Sequence, residues 1–330
     1  MKELQFVETR RATWAAWDRW LAGAAARDEH LPFAAMELPH CFRELCHDLS
    51  IARDRDYSSV LIDSLHKRVL LAQQRIYGAQ PPLRRAWLSF LSAGFPALVR
   101  REWRFVIPAL LLFFLPLVAY IPIAHYWPES VYLVVPTGHA AQMEEMYSSD
   151  APRIGRLRRE AGDDFRMLGF YIWNNVRIDF QCFAGGLLFG LGSVFYLVYN
   201  GLIIGATAGH LTRLGYIDTF WGFVAGHSGF ELLGAALAGA AGLRMGYALI
   251  APGKFSRATA LTRSARIAIR VLCGAASMTL LAAFVEAFWS PLPTLPVGLK
   301  YAVGGTLWLL LLAYFVFAGR GGHDEARDAA

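Results

Sequence analysis

Residues 105–126 read FVIPALLLFFLPLVAYIPIAHY, an apolar run carrying Pro108, Pro116 and Pro122. A hydrocarbon core of ~30 Å needs ~20 helical residues to cross it, and this run is long enough. Proline inside such a helix is tolerated where neighbouring helices or local kinking satisfy the freed backbone groups. Four further apolar blocks follow, over about 180–199, 223–250, 267–289 and 299–318, together with a shorter one over 202–214 after the interruption at Asn200-Gly201. The expected fold class is therefore all-α: a polytopic transmembrane helical bundle of about six spans, with a helical N-terminal domain before it. Residues 202–214 fall short of the length a spanning helix needs.

Composition agrees with lipid as the solvent. Hydrophobic residues make up 55% of the 330 and charged residues 18%, against roughly 25% charge in ordinary soluble domains. The first residues, Met1 to Arg11, mix charges with apolar side chains and lack the apolar run and cleavage site of a secretory signal, so the 105–126 segment is expected to act as an uncleaved anchor. Cys41 and Cys46 fall on a predicted helix of the N-terminal domain, Cys182 and Cys273 in predicted spans, and no CxxC spacing occurs. All four read as small apolar residues.

Residues 1–80 read as a cytosolic helical bundle. Phe6, Trp14, Trp17 and Leu21 share one helical face; Leu38, Phe42, Leu45, Leu49 and Ala52 share a second, and Leu61, Leu65, Val69, Ala72 and Ile76 a third. Pro81-Pro82 ends that unit. Residues 81–104 then set Trp87, Phe90, Leu91, Phe95 and Leu98 between Arg84-Arg85 and Arg100-Arg101, the pattern of an amphipathic helix at the membrane interface, with a fourth bundle helix as the alternative. Residues 105–330 form the transmembrane domain, with a polar external segment at 127–179. Within it the Arg153 to Arg159 run reads as a solvated or headgroup-facing helix surface.

The net charge of +6 is placed where topology uses it. Arg84, Arg85, Arg100, Arg101 and Arg104 flank the first span, and Lys254, Arg257, Arg263, Arg266 and Arg270 gather between the fourth and fifth with no acidic residue among them. The positive-inside rule assigns both clusters to the cytosol, which requires an even number of spans between them and leaves both termini cytosolic. This distribution suits a membrane-topology signal better than a nucleic-acid surface.

Small residues mark the expected helix contacts: Gly186 and Gly190; Gly201, Gly205 and Gly209; and Gly234, Ala238, Gly242 and Gly246, each set at intervals of four. Such ladders let backbones approach where burial from water supplies no drive. The polar residues gather elsewhere. His227 and Glu231 share a helix face, and Glu286 sits near the outer end of the fifth span. His210 ends the third span at the same level, and Asn174, Asn175, Arg177 and Asp179 open the second. Ionisable groups at membrane depth pair or line a watery cavity. An interhelical clamp is the preferred reading; a proton or ligand pathway and a metal site at His227, Glu231 and Glu286 that activates water are the alternatives. No phosphate loop, G-x-S-x-G elbow or HExxH occurs, no catalytic residue is assigned, and no cofactor is expected.

These motifs resemble the stage II sporulation protein M family. The resemblance runs through Arg43, Asp48-Leu49, Ala52-Arg53, Phe95-Pro96, Asn174-Asn175, Phe183-Ala184-Gly185-Gly186 and Asn200-Gly201. It is strongest in HSGFELLGAALAGAAGLRMGYALIAPG at 227–253, then Arg257, Ala260-Leu261 and EAFWSP at 286–291; Ser228 stands where members more often have glycine directly after the histidine. The resemblance implies an all-helical, multi-pass protein of the bacterial inner membrane, on a branch with a long cytosolic N-terminal domain. The expected function is a non-enzymatic scaffold or partner subunit of a cell-envelope complex. The alternatives are a transporter or channel using the His227, Glu231 and Glu286 level, and an intramembrane metal-dependent hydrolase. Expected partners are the bilayer and membrane or cytosolic proteins, including a second copy of the chain, with no nucleic acid.

Overall fold

The computed structural model describes residues 2–21, 38–77, 83–148 and 161–320. Pro81-Pro82 and the Arg153 to Arg159 run lie outside them. The chain divides into two compact units, Met1–Trp87 and Leu88–Ala330.

The first unit contains α1 (Glu3–Leu21), α2 (Leu38–Asp54) and α3 (Ser59–Tyr77). Residues three and four apart meet on one helix face, and the apolar ones among them build a shared core of Phe6, Trp14, Trp17, Leu45, Leu49, Leu61 and Leu65. Polar bonds fix the register. The Trp14 indole N–H donates to Asp48 Oδ2 at 2.9 Å, and Arg68 grips both oxygens of Asp18 at 2.7 and 2.8 Å. Arg75 donates to the carbonyls of Trp20 and Leu21, satisfying acceptors that the end of α1 leaves open. Asp56 takes the left-handed conformation (φ 49°) that turns the chain out of α2, a position aspartate tolerates better than most residues. Ser58 then donates its N–H and hydroxyl to Glu3.

The chain continues through α4 (Leu83–Ser89), a π turn (Phe90–Gly94) and α5 (Phe95–Arg101). Residues 83–101 are helical throughout, with the π turn inside the helix, and Leu83, Trp87 and Leu88 are exposed. Phe95, Leu98 and Val99 are buried in the core of the second unit, because the Phe95 ring fits against Gly274, where any β-carbon would collide with it.

The second unit is a helical membrane bundle. Among the described residues, five helices are long and apolar enough to cross a bilayer: α6 (Trp103–Tyr126), α9 (Leu191–Arg213), α11 (Ser228–Ile250), α12 with its π extension (Arg257–Trp289) and α13 (Val297–Phe317). Between them lie a 3-10 turn (Pro128–Leu133), α7 (Thr137–Tyr147), α8 (Ala161–Ala184), a 3-10 turn (Gly185–Leu187), a π turn (Ile217–Trp221) and the short α10 (Gly222–Val224).

Glycine contacts give the helix directions. Gly201, Gly205 and Gly209 of α9 face the backbone of Phe113, Leu117 and Ile121 of α6 in the same order, so these helices run parallel. Gly239, Gly242 and Gly246 of α11 meet Leu197, Ser193 and Gly190, so α11 runs against α9. Asn175 and Asp179 of α8 meet Glu286 and Thr279 of α12, so that pair is antiparallel too. Gly234 of α11 meets Thr279 of α12, and Gly229 and Ala225 meet Leu311 and Gly304 of α13, so α6, α8, α9, α11, α12 and α13 alternate between a basic end, which holds Arg100, Arg101, Lys254 and Arg257, and a far end, which holds His227 and Ser290.

The second and third spans need correction. Residues 180–199 and 202–214 are not separate spans: α9 runs unbroken through Asn200-Gly201, and the Asn200 side chain simply donates to the Tyr196 carbonyl one turn earlier at 2.7 Å. The break lies at 185–190 instead. Phe189 (φ 53°) and Gly190 (φ 84°) are left-handed there, and Gly185 and Gly192 approach too closely for a side chain on either. Residues 161–179, expected outside, are most of α8, which lies at bundle depth against α11 and α12. Its polar face turns inward on Asn175 and Asp179 while Phe170, Trp173 and Phe180 point outward.

Candidate functional site

Helix α11 starts at Ser228 with His227 as its N-cap, which places Glu231 in the first turn, where the helix dipole favours an anion. One turn apart, the two side chains meet, with His227 Nε2 3.8 Å from Glu231 Oε2. The His227 ring is almost wholly buried, and its Nδ1 lies 2.9 Å from Ser290 Oγ. Ser290 is placed by the π turn that ends α12 (Val285–Trp289), and its carbonyl accepts from the buried Lys300 ammonium of α13 at 2.7 Å.

The same π turn carries Glu286. Its side chain comes close to His227 and Glu231, so that one ligand atom from each of the three lies within 4.8 Å of the others. The Asn175 amide of α8 donates to Glu286 Oε2 at 3.4 Å and accepts from Asn174 at 3.0 Å. One turn deeper, buried Asp179 accepts the Thr279 hydroxyl at 2.6 Å. Asn175, Asp179 and Glu231 also border a cavity of about 20 Å³, measured as the space open to a water's centre. That is room for about one water. From the far end, Tyr147 of α7 completes the surroundings. Burial above all, then the charges of Glu286, Tyr171 and Glu231, hold its phenol well above its ordinary pKa, so it stays a hydroxyl donor at neutral pH.

Of the residues singled out in the sequence, His227, Glu231, Glu286, Asn174, Asn175 and Asp179 form one connected polar cluster. Two do not join it. His210 pairs with Glu144 of α7 at 2.6 Å, and Arg177 is exposed, its guanidinium 4.7 Å over the Trp173 ring. The sequence reading missed Thr279, Ser290, Tyr147 and Lys300. A threonine or serine in an apolar helix usually bonds its own backbone one turn back and so carries no signal of a partner. It also missed the pair at the basic end where Arg244 of α11 meets Glu102 between α5 and α6.

Gly186, Gly190, Gly242 and Gly246 pack toward the basic end, while Gly201, Gly205 and Gly209 follow α6 toward the far end. A β-carbon on Gly186 would strike the backbone of Gly242, and one on Gly246 the backbone of Gly190. At Gly242 it would meet Ser193 Oγ and the carbonyls of Cys182 and Phe183, where the Ser193 hydroxyl already donates to Cys182 at 2.6 Å. Gly234 faces Thr279, and Ala238 is fully buried.

Chemically, the cluster offers one imidazole nitrogen and two carboxylates on facing helices, with hydrogen-bonding groups behind them. It can fasten α8, α11 and α12 together, and it can hold a cation. Comparison with protein families matches residues 109–291, more than half of the chain, to a family described as Stage II sporulation protein M, and residues 4–78 to a Domain of unknown function (DUF8413). Comparison with curated proteins and with solved structures returned no match.

Proposed function

The chain belongs to the stage II sporulation protein M family, and from that premise we propose that it is a non-enzymatic scaffold, a partner subunit of a cell-envelope complex in the bacterial inner membrane. The observation that carries this reading is the division of the chain into two compact units suited to different solvents. The first has its own apolar core and an exterior of arginine, aspartate and glutamate, which suits a module that recruits a soluble partner. The second exposes large apolar side chains such as Leu111, Leu115, Leu309 and Leu312 around a glycine-packed interior, which suits lipid and neighbouring membrane proteins. The basic end carries the positive-inside signal, so we place it, both termini and the first unit in the cytosol. The polar cluster serves in this reading as a clamp on the far end.

A transport role, the alternative, would use a discontinuous helix lining the substrate site, for which the Asn200-Gly201 interruption is the sequence candidate. The helix α9 is continuous there, and the chain breaks at 185–190 instead.

The test is capture of partners in mild detergent, using the intact chain and a chain lacking residues 1–80. Recovery of a defined partner by the intact chain, lost with the deletion, supports the scaffold. No recovery by either chain rejects it. Orientation is tested separately with single cysteines replacing Lys254 and Gly298, in a background freed of the exposed native thiols. Impermeant maleimide should label position 298 and not 254 in intact cells.

A further inference from the structure

We propose that His227, Glu231 and Glu286 form a binding site for one divalent transition-metal ion of the zinc class, which ties α11 to α12 at the far end of the bundle.

The first ground is the donor set. One imidazole nitrogen with two carboxylate oxygens is a ligand combination that Zn²⁺ and its neighbours accept. The three donor atoms lie within 4.8 Å of one another, and His227 Nε2 stands 3.8 Å from Glu231 Oε2. An ion with bonds of ~2.1 Å spaces tetrahedral ligands roughly 3.4 Å apart, so closure needs small rotations of two flexible glutamate side chains and no backbone movement.

The second ground is how the imidazole is held. His227 is 3% exposed, and its Nδ1 is engaged by Ser290 Oγ, which directs Nε2 at the carboxylates without giving Nε2 a hydrogen bond of its own. An outer partner of this kind sets ring orientation and tautomer in metal-binding histidines. Glu286 is steadied in the same way by Asn175, which Asn174 supports in turn.

The third ground is charge. Two carboxylates approach each other within the bundle, and among the described residues no lysine or arginine pairs with either. The Lys300 ammonium of α13 is committed to the Ser290 carbonyl. Tyr147, Asn175 and Thr279 on the surrounding helices are neutral, and Asp179 adds a further acid. A dication would supply the positive charge, and a water-sized cavity lies beside Glu231. The proposal assigns the ion a structural part and stands independently of the scaffold reading.

The experiment uses full-length protein in mild detergent, free of any histidine tag, stripped with chelator and then dialysed against Zn²⁺. The expected result is one Zn²⁺ per chain by elemental analysis, a higher melting temperature that chelator reverses, and visible d–d absorption on Co²⁺ loading that Zn²⁺ abolishes. Ser290→Ala, which leaves all three ligands in place, should weaken Zn²⁺ binding about tenfold. Glu231→Gln with Glu286→Gln should abolish it. Failure of the wild type to take up Zn²⁺ or to shift in melting temperature overturns the proposal, whether or not the double variant folds. Equal uptake by wild type and a folded double variant overturns it too, since the metal then sits elsewhere.

Discussion

The two ends of α11 solve the problem of packing helices in lipid in opposite ways. Toward the basic end, Gly242 and Gly246 press backbone against α8 and the turn before α9, with only the small Ser193 hydroxyl beside them. Toward the far end, His227 and Glu231 reach their neighbours through polar side chains next to a small cavity. Backbone contact is rigid and intolerant, because relief requires moving whole helices. Side-chain contact is adaptable, because rotamers and a water can compensate. One helix thus joins a fixed pivot to an adjustable end.

The sharpest way to break this contrast is Gly242→Val. Its β-carbon meets the Cys182 and Phe183 carbonyls, which cannot retreat without separating α8 from α11. The expected cost exceeds the ~1–3 kcal/mol of ordinary overpacking and enters the range above ~4 kcal/mol that unfolds marginal proteins. The check is loss of the monodisperse size-exclusion peak, and a variant that elutes like wild type would refute the rigid pivot. Thr279→Val at the polar end comes next. It removes the hydroxyl from buried Asp179 and should cost about 1–3 kcal/mol, read as a lower melting temperature, while Thr279→Ser should restore it. Ser193→Ala removes one bond to the Cys182 carbonyl without steric conflict and should cost only about 0.5–1.5 kcal/mol. If Ser193→Ala proves as damaging as Gly242→Val, the pivot is held by hydrogen bonding and not by shape.

The smallest effect belongs to Glu3, outside the bundle. The Ser58 hydroxyl foremost, then its N–H, lower the Glu3 pKa below the usual carboxylate value. A depressed acid contributes stability that is present above the unfolded pKa of 4.5 and lost as pH falls through the folded value. Amide protection at the start of α3, corrected for intrinsic exchange, should therefore weaken on acidification in wild type. In Glu3→Gln it should be weaker at neutral pH and nearly flat on acidification. The bundle should not respond to this substitution.

The sequence made the apolar spans legible wherever apolarity and length coincide, as in α6, α11, α12 and α13. It hid α8, whose Asp179 and Asn175 face inward and lower its average hydropathy, so a helix at bundle depth reads as a polar loop. It also misplaced the reversal. Asn200-Gly201 looks like a turn, but Gly201 is needed for contact with Phe113, whereas the true turn at Gly185 to Gly190 lies inside what reads as one apolar run. Within the cluster, spacing revealed His227 with Glu231. Ser290 and Thr279 could not be found, because their partners lie 63 and 100 residues away.

Arg100, at the end of α5, donates both arms of its guanidinium to the Phe315 and Ala318 carbonyls at the close of α13, and Tyr314 of that helix reaches the Leu91 carbonyl. These latches join the first segment of the bundle to α13. During synthesis these bonds must therefore stay open until α13 has emerged. A nascent chain halted before it would leave the Phe95 ring without Phe315, its edge-to-face partner.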